Sequence, residues 1–278
     1  MAPLADFFDR PVLRRFLASV FAMLAIWLLL ELIFRRSFTE WSSSSWFEVT
    51  YLIPLVWFVV AKTHRATFSA LFRGFSLGSL RWFHLLIVLV LGIIASFGID
   101  NLMSLLVATF APDYITSAIN MEVIEPGSHW MLNGWTALAA VVVAPFMEEL
   151  VFRGLLYERL ATKWNVRRSA LISSLVFGLL HAEAWLGAAL FGLLMCIVYH
   201  QTKNLWMPII VHVANNLIAL LLMFFDGQEQ TTLMEYQQKW PYFLAALLVL
   251  PGVYLFVKKF FPSEQSPLPY RRNLHLVS

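Results

Sequence analysis

The chain has 278 residues, of which 60% are hydrophobic and only 13% charged, with 24 Phe, 11 Trp and a formal charge of +3. Soluble domains run at roughly half apolar and a quarter charged, so this composition excludes an ordinary soluble globular domain and marks a polytopic membrane protein. The basic excess lies in loops between apolar runs, where it reads as topology and anionic-lipid contact rather than as a nucleic-acid footprint.

Apolar runs of about 20 residues predict about eight membrane spans. In chain order they are Phe16–Phe34, Trp46–Ala61, Phe83–Phe110, Asn133–Tyr157, Ser169–Trp185, Leu186–Tyr199, Leu205–Phe225 and Tyr242–Phe261. The first begins after basic residues but is long, contains Glu31 and lacks a small-residue cleavage site, so it reads as a retained helix and not a signal peptide. Arg10, Arg14, Arg15, Lys62, Arg65, Arg73, Arg81, Arg159, Lys163, Arg167, Arg168, Lys203, Lys258, Lys259, Arg271 and Arg272 fall in alternate loops and at the termini. The other loops hold only Arg35, Arg36 and Lys239, among several acids. The positive-inside rule therefore puts both termini in the cytoplasm with an even number of spans. The expected fold is an all-α membrane bundle, one integral domain over 1–278 with its motif core within 133–225 and a mobile cytoplasmic tail over 263–278. Cys196 is the only cysteine, so there is no intramolecular disulfide, and its setting in "LLMCIVYH" is that of a buried, inert thiol.

Polar residues inside the spans carry the chemistry. A charge at mid-membrane costs about 2.5–3.5 kcal/mol on insertion scales, which makes it a functional signal. The stretch "PFMEELVFRGLL" holds Glu148, Glu149 and Arg153. On a helix, Glu149 and Arg153 are neighbours four apart, while Glu148 diverges by about 100° and keeps no local partner. Pro145 cannot donate its backbone bond and frees a carbonyl near residue 141. Later spans carry His181 in "FGLLH", with Phe177 on the same face, and His212 in "HVANN", with Asn215 and Asn216 within reach. A lone intramembrane histidine is often an interhelical hydrogen bonder. Two of them on separate helices beside an unpaired acid point to catalysis. Asp100 and Asn101 fall near a predicted span end, where snorkelling or interface pairing is the expected role. Ser173 and Ser174, like Ala188 and Gly192, read as small helix-interface residues, since no Gly-x-Ser-x-Gly context accompanies them.

The three motifs Glu-Glu-x-x-x-Arg, Phe-x-x-x-His and His-x-x-x-Asn, in this order over Glu148–Asn216, resemble the CPBP family, which comprises type II CAAX prenyl endopeptidases and their bacteriocin-processing relatives. The resemblance implies a glutamate-dependent intramembrane peptidase without a metal or other cofactor. Glu148 would activate water with His181, His212 and Asn216 would stabilise the oxyanion, and Glu149 with Arg153 would brace the helix, with Pro145 and Phe177 in support. The partners implied are the lipid bilayer and a peptide or protein substrate, membrane-anchored and prenylated chains included, with no nucleic acid. The expected location is a bacterial inner membrane, with the site opening towards the cytoplasm. Two other readings stay open at this point: a non-catalytic scaffold retaining the fold, and a metallopeptidase using the same Glu and His residues as zinc ligands.

Overall fold

The structure is a computed structural model that describes residues 65–73, 82–120, 130–181, 184–226 and 231–274, with Ala18, Phe21 and Ala25 helical ahead of them. The predicted spans at 16–34 and 46–61 lie outside the described residues apart from those three positions. Every regular element among the described residues is helical. A bilayer offers no water to exposed backbone groups, so helices that bond their own backbone are the expected solution.

The helices are α1 (Arg65–Phe72), α2 (Trp82–Ala108), α3 (Pro112–Ile119), α4 (Asn133–Lys163), α5 (Val166–Leu179), α6 (Trp185–Thr202), α7 (Trp206–Asp226), α8 (Leu233–Gln238), α9 (Trp240–Phe260) and α10 (Pro269–Leu274). Five of them, α2, α4, α6, α7 and α9, are long and apolar enough to cross a membrane. The predicted fifth span becomes α5, which starts at Val166 with Asn165 capping the Arg168 amide and stops at Leu179. Its 14 residues are fewer than the about 20 of a full apolar span, so it counts towards the expected eight only as a short crossing.

The most enclosed helix is α6, whose residues from Leu194 to Tyr199 are at most 3% exposed. It packs against α5, α2 and α7, and α7 in turn packs on α4. Close approach is built in at Gly178, where a β-carbon would run into the Trp185 carbonyl and Ala189. Asp100 of α2 accepts the Gly187 amide at 2.8 Å, so one of the orphan donors at the start of α6 is satisfied across the helix pair. Ser173 Oγ donates to the Phe152 carbonyl and Ser174 Oγ to the Ala170 carbonyl, roles that suit small interface residues. Cys196 is buried, its Sγ 3.7 Å from Ser174 Oγ.

The basic loops meet at one end of the bundle. Asn204 Nδ2 donates to the carbonyls of Phe72 and Arg73, Arg167 Nε to that of Pro262, and Asn273 Nδ2 to those of Ala70 and Lys203. At the same end Glu158, wholly buried, accepts from Tyr199 Oη at 2.9 Å and from the Tyr270 amide at 3.0 Å. The tail read from sequence as a mobile appendage therefore supplies, over residues 268–273, buried side chains and three of these bonds: Leu268, Tyr270 and Asn273 are all under 9% exposed. The opposite end is closed by Asn120 and Thr231, which exchange two hydrogen bonds, and by Tyr236 Oη donating to Asn101 Oδ1.

Candidate active site

Two π-wound stretches of α4, Ala139–Val143 and Leu150–Tyr157, bracket the paired glutamates. Such widened turns are rare and tend to occur at functional sites. Glu149 and Arg153 are wholly buried. Arg153 Nη1 donates to Glu149 Oε1 at 2.9 Å and Nη2 to the Gly192 carbonyl at 2.9 Å. Its guanidinium carbon lies 4.6 Å from the centre of the Phe177 ring. A β-carbon at position 192 would stand 3.1 Å from Nη2 and 3.2 Å from Phe177, so a glycine there lets α6 approach the ion pair.

Glu149 has a second partner that the sequence did not announce. His212 Nδ1 lies 2.8 Å from the same Oε1. A carboxylate already receiving a guanidinium proton acts as an acceptor, so His212 donates from Nδ1 and its Nε2 is left to face elsewhere. Nothing in residue spacing could have disclosed this bond, which joins positions 63 apart.

His181 sits in the turn just past α5. Its Nδ1 lies 2.7 Å from the Phe177 carbonyl, one of the four last carbonyls that a helix leaves unsatisfied. A carbonyl can only accept, so Nδ1 is the protonated nitrogen here too. The Phe177 ring packs on the His181 ring at 4.4 Å and lies 5.9 Å from the His212 ring and 5.0 Å from the Phe152 ring. The Phe-x-x-x-His spacing thus serves twice, through the carbonyl of Phe177 and through its ring.

Both free Nε2 atoms turn to Glu148. Its Oε2 is 3.9 Å from His181 Nε2 and 3.7 Å from His212 Nε2. The side chains of Glu148 and His181 are 30% and 34% exposed, whereas that of His212 is 4% exposed. These separations exceed a direct hydrogen bond and suit a small bridging molecule.

Depth explains why the three residues meet. Hydropathy ends the fourth span at Tyr157, which makes Glu148 shallow and His181 deep. In the structure α4 continues to Lys163, with Glu158 buried and Arg159–Thr162 half-buried. Glu148 therefore precedes the α4 terminus at Lys163 by as many residues as His181 follows the α5 start at Val166. In an antiparallel hairpin the two are level. Each lies about 22 Å along its chain from the hairpin turn at 1.5 Å per residue.

Asn216 is engaged as well, though with backbone. Its Nδ2 donates to the Ala140 carbonyl at 2.9 Å, and its Oδ1 accepts from Asn215 Nδ2 at 3.1 Å. Pro145 is buried, three residues before Glu148. Among the described residues no group of three or more His, Cys, Asp or Glu side chains is spaced to hold a metal ion.

An integral membrane protein with a carboxylate set between two imidazoles is the class that fold and site define. Residues 130–218 match the family model described as Type II CAAX prenyl endopeptidase Rce1-like. A stretch of 87 residues is 31% identical to the "Putative membrane peptidase YdiL" of Bacillus subtilis (strain 168), covering 31% of this chain and 36% of that protein. The chain thus spans about a third of the length of the curated relative it matches. No solved structure matches it. These matches agree with the motif resemblance: the segment that carries Glu148, His181 and His212 is similar to the Rce1-like endopeptidases.

Proposed function

We propose that this chain is a glutamate-dependent intramembrane endopeptidase, multi-pass in a bacterial inner membrane, with Glu148 as the base that activates water. The observation that supports it best is the convergence of two imidazole Nε2 atoms on one partly exposed carboxylate oxygen, with both Nδ1 atoms tied back to other groups. A water held between Glu148 and His181 would lose a proton to Glu148 as its oxygen attacks the peptide carbonyl carbon. The carbonyl electron pair moves to oxygen. Collapse of that intermediate re-forms the carbonyl, breaks the C–N bond and sends the proton to the leaving amine. Peptide hydrolysis needs such a base and donors aimed at the developing oxyanion.

His212 suits the donor role in one protonation state. With Nδ1–H given to Glu149, Nε2 can donate only when the ring carries a second proton, and Glu149 behind it would stabilise that imidazolium in the way a buried carboxylate orients a catalytic histidine. Glu149 and Arg153 then act as the brace that sets His212. The substrate is a peptide or protein, with prenylated and unmodified chains both within the class.

Comparative peptidomics of cells carrying the unaltered chain or Glu148→Gln identifies the substrate. A pool of internally quenched peptides, farnesylated and unmodified, then measures cleavage directly. Chelators such as EDTA and 1,10-phenanthroline are expected to leave that cleavage unchanged. Inhibition reversed by added zinc would instead establish the metallopeptidase reading.

The clustering of basic loops at one end supports an arrangement with both termini in the cytoplasm, eight spans, and a site reached from the cytoplasmic side. Fusions of alkaline phosphatase and green fluorescent protein to either terminus are expected to report the cytoplasm. A periplasmic report from one terminus would make the span count odd.

A further inference from the structure

The geometry points to Asn216 as a positioning residue: its side-chain amide replaces the N–H that Pro145 lacks, and so fixes the rotational phase of the helix at Glu148. The inference rests on the reading of Glu148 as the base, but the bond itself follows from backbone register.

In an ordinary α-helix the amide missing at Pro145 would have paired with the carbonyl four residues earlier, at Val141. Here α4 is wound wide over Ala139–Val143, and the Ala144 amide bonds to the Ala139 carbonyl, five residues back. One residue further in that register, the Ala140 carbonyl faces position 145, which is a proline with no amide proton. The orphaned carbonyl is therefore that of Ala140, and it is the atom that Asn216 Nδ2 reaches at 2.9 Å. Asn215 sets the orientation of the amide, because its Nδ2 donates to Asn216 Oδ1.

Glu148 lies three residues after Pro145 and takes its direction from this turn. A slip of the wide turn back to α register would rotate Glu148 by about 100° relative to the preceding half of the helix. The same helix, α7, carries His212 one turn earlier. It therefore delivers both the imidazole that faces Glu148 and the amide that holds Glu148 in phase. The amide has a second N–H that could meet an oxyanion, but a role confined to that would be indifferent to what stands at position 145.

That difference defines the test, a double-mutant cycle on the whole chain in proteoliposomes. Asn216→Ala, Pro145→Ala and the double variant are assayed with an internally quenched peptide cleaved by the unaltered chain, well below the melting temperature. Asn216→Ala is expected to lower kcat by about 10²-fold, the scale of a catalytic group displaced by about 1 Å, with KM within about threefold. In the Pro145→Ala background, which restores an amide proton, the same substitution is expected to cost less than about threefold. An equal loss of kcat in both backgrounds overturns the proposal and returns Asn216 to direct oxyanion binding. Melting midpoints measured in the Glu148→Gln background give a reading that needs no activity. Asn216→Ala should lower the midpoint with Pro145 present and barely move it when Pro145→Ala is also in place, and equal lowering in both overturns the proposal. Pro145→Leu takes the place of Pro145→Ala if the latter fails to fold. Should the unaltered chain cleave no peptide, the peptidase reading fails by itself, and the midpoint cycle still decides the capping role.

Discussion

Glu148→Gln is expected to lower peptide turnover by at least about 10²-fold, the low end for loss of a general base, while leaving the melting midpoint nearly unchanged. The amide keeps the shape of the carboxylate and can still hydrogen-bond, so only the capacity to take a proton is lost. Stability should hold because Glu148 makes no short contact to either imidazole, the nearer Nε2 being 3.7 Å away, and its side chain is 30% exposed. Rates on the quenched-peptide assay, with midpoints from the same preparation, check both halves. Cleavage at the unaltered rate would remove the peptidase mechanism and leave the scaffold reading in its place.

Arg153→Ala is expected to act on the fold first. The guanidinium is wholly buried and joins Glu149 of α4, the Gly192 carbonyl of α6 and the Phe177 ring of α5. Removing one partner of a buried pair leaves the other uncompensated, at a cost of roughly 3–5 kcal/mol. Folded yield in membranes and the midpoint in detergent should both fall. Replacing the pair together, as Glu149→Gln with Arg153→Met, should recover part of that loss, since neutral groups of similar size strand no charge. The double variant would still be catalytically weak, because a neutral amide at position 149 can hold His212 Nδ1 without stabilising its imidazolium. A midpoint for Arg153→Ala equal to that of the unaltered chain would show that the pair does not brace the helices.

Much of the candidate site could be read along the chain because helical spacing is local. Glu149 and Arg153 four apart, and Phe177 and His181 four apart, meet as that spacing requires. The glutamate with no local partner was visible for the same reason. What escaped reading were bonds between helices: His212 to Glu149, Arg153 to the Gly192 carbonyl, Asn216 to Ala140. Each depends on the depth and rotation of two elements at once. The rule for proline puts the freed carbonyl near residue 141 because it assumes α register, whereas α4 is wound wide there and the Ala144 amide bonds five residues back, to Ala139. Span ends went astray where hydropathy and helicity part company. The polar turns after Tyr157 stay helical with Glu158 buried and Arg159–Thr162 half-buried against the protein, and α5 stops at Leu179, ahead of His181 and Glu183.

Glu158 imposes an order of events on biosynthesis. Its Oε1 accepts from Tyr199, 41 residues later, and from the Tyr270 amide, 112 residues later. At translation rates of about 5–20 residues per second, the second donor arrives roughly 6–20 s after the carboxylate has been made. Through that interval the helices that carry the glutamate and both imidazoles can already be inserted, while the end of the bundle that Leu268, Tyr270 and Asn273 cover is still open to chaperones and to membrane proteases. Docking of residues 268–273 is thus the step that closes this end of the bundle, and a chain cut short before residue 270 would lack the amide that Glu158 accepts from.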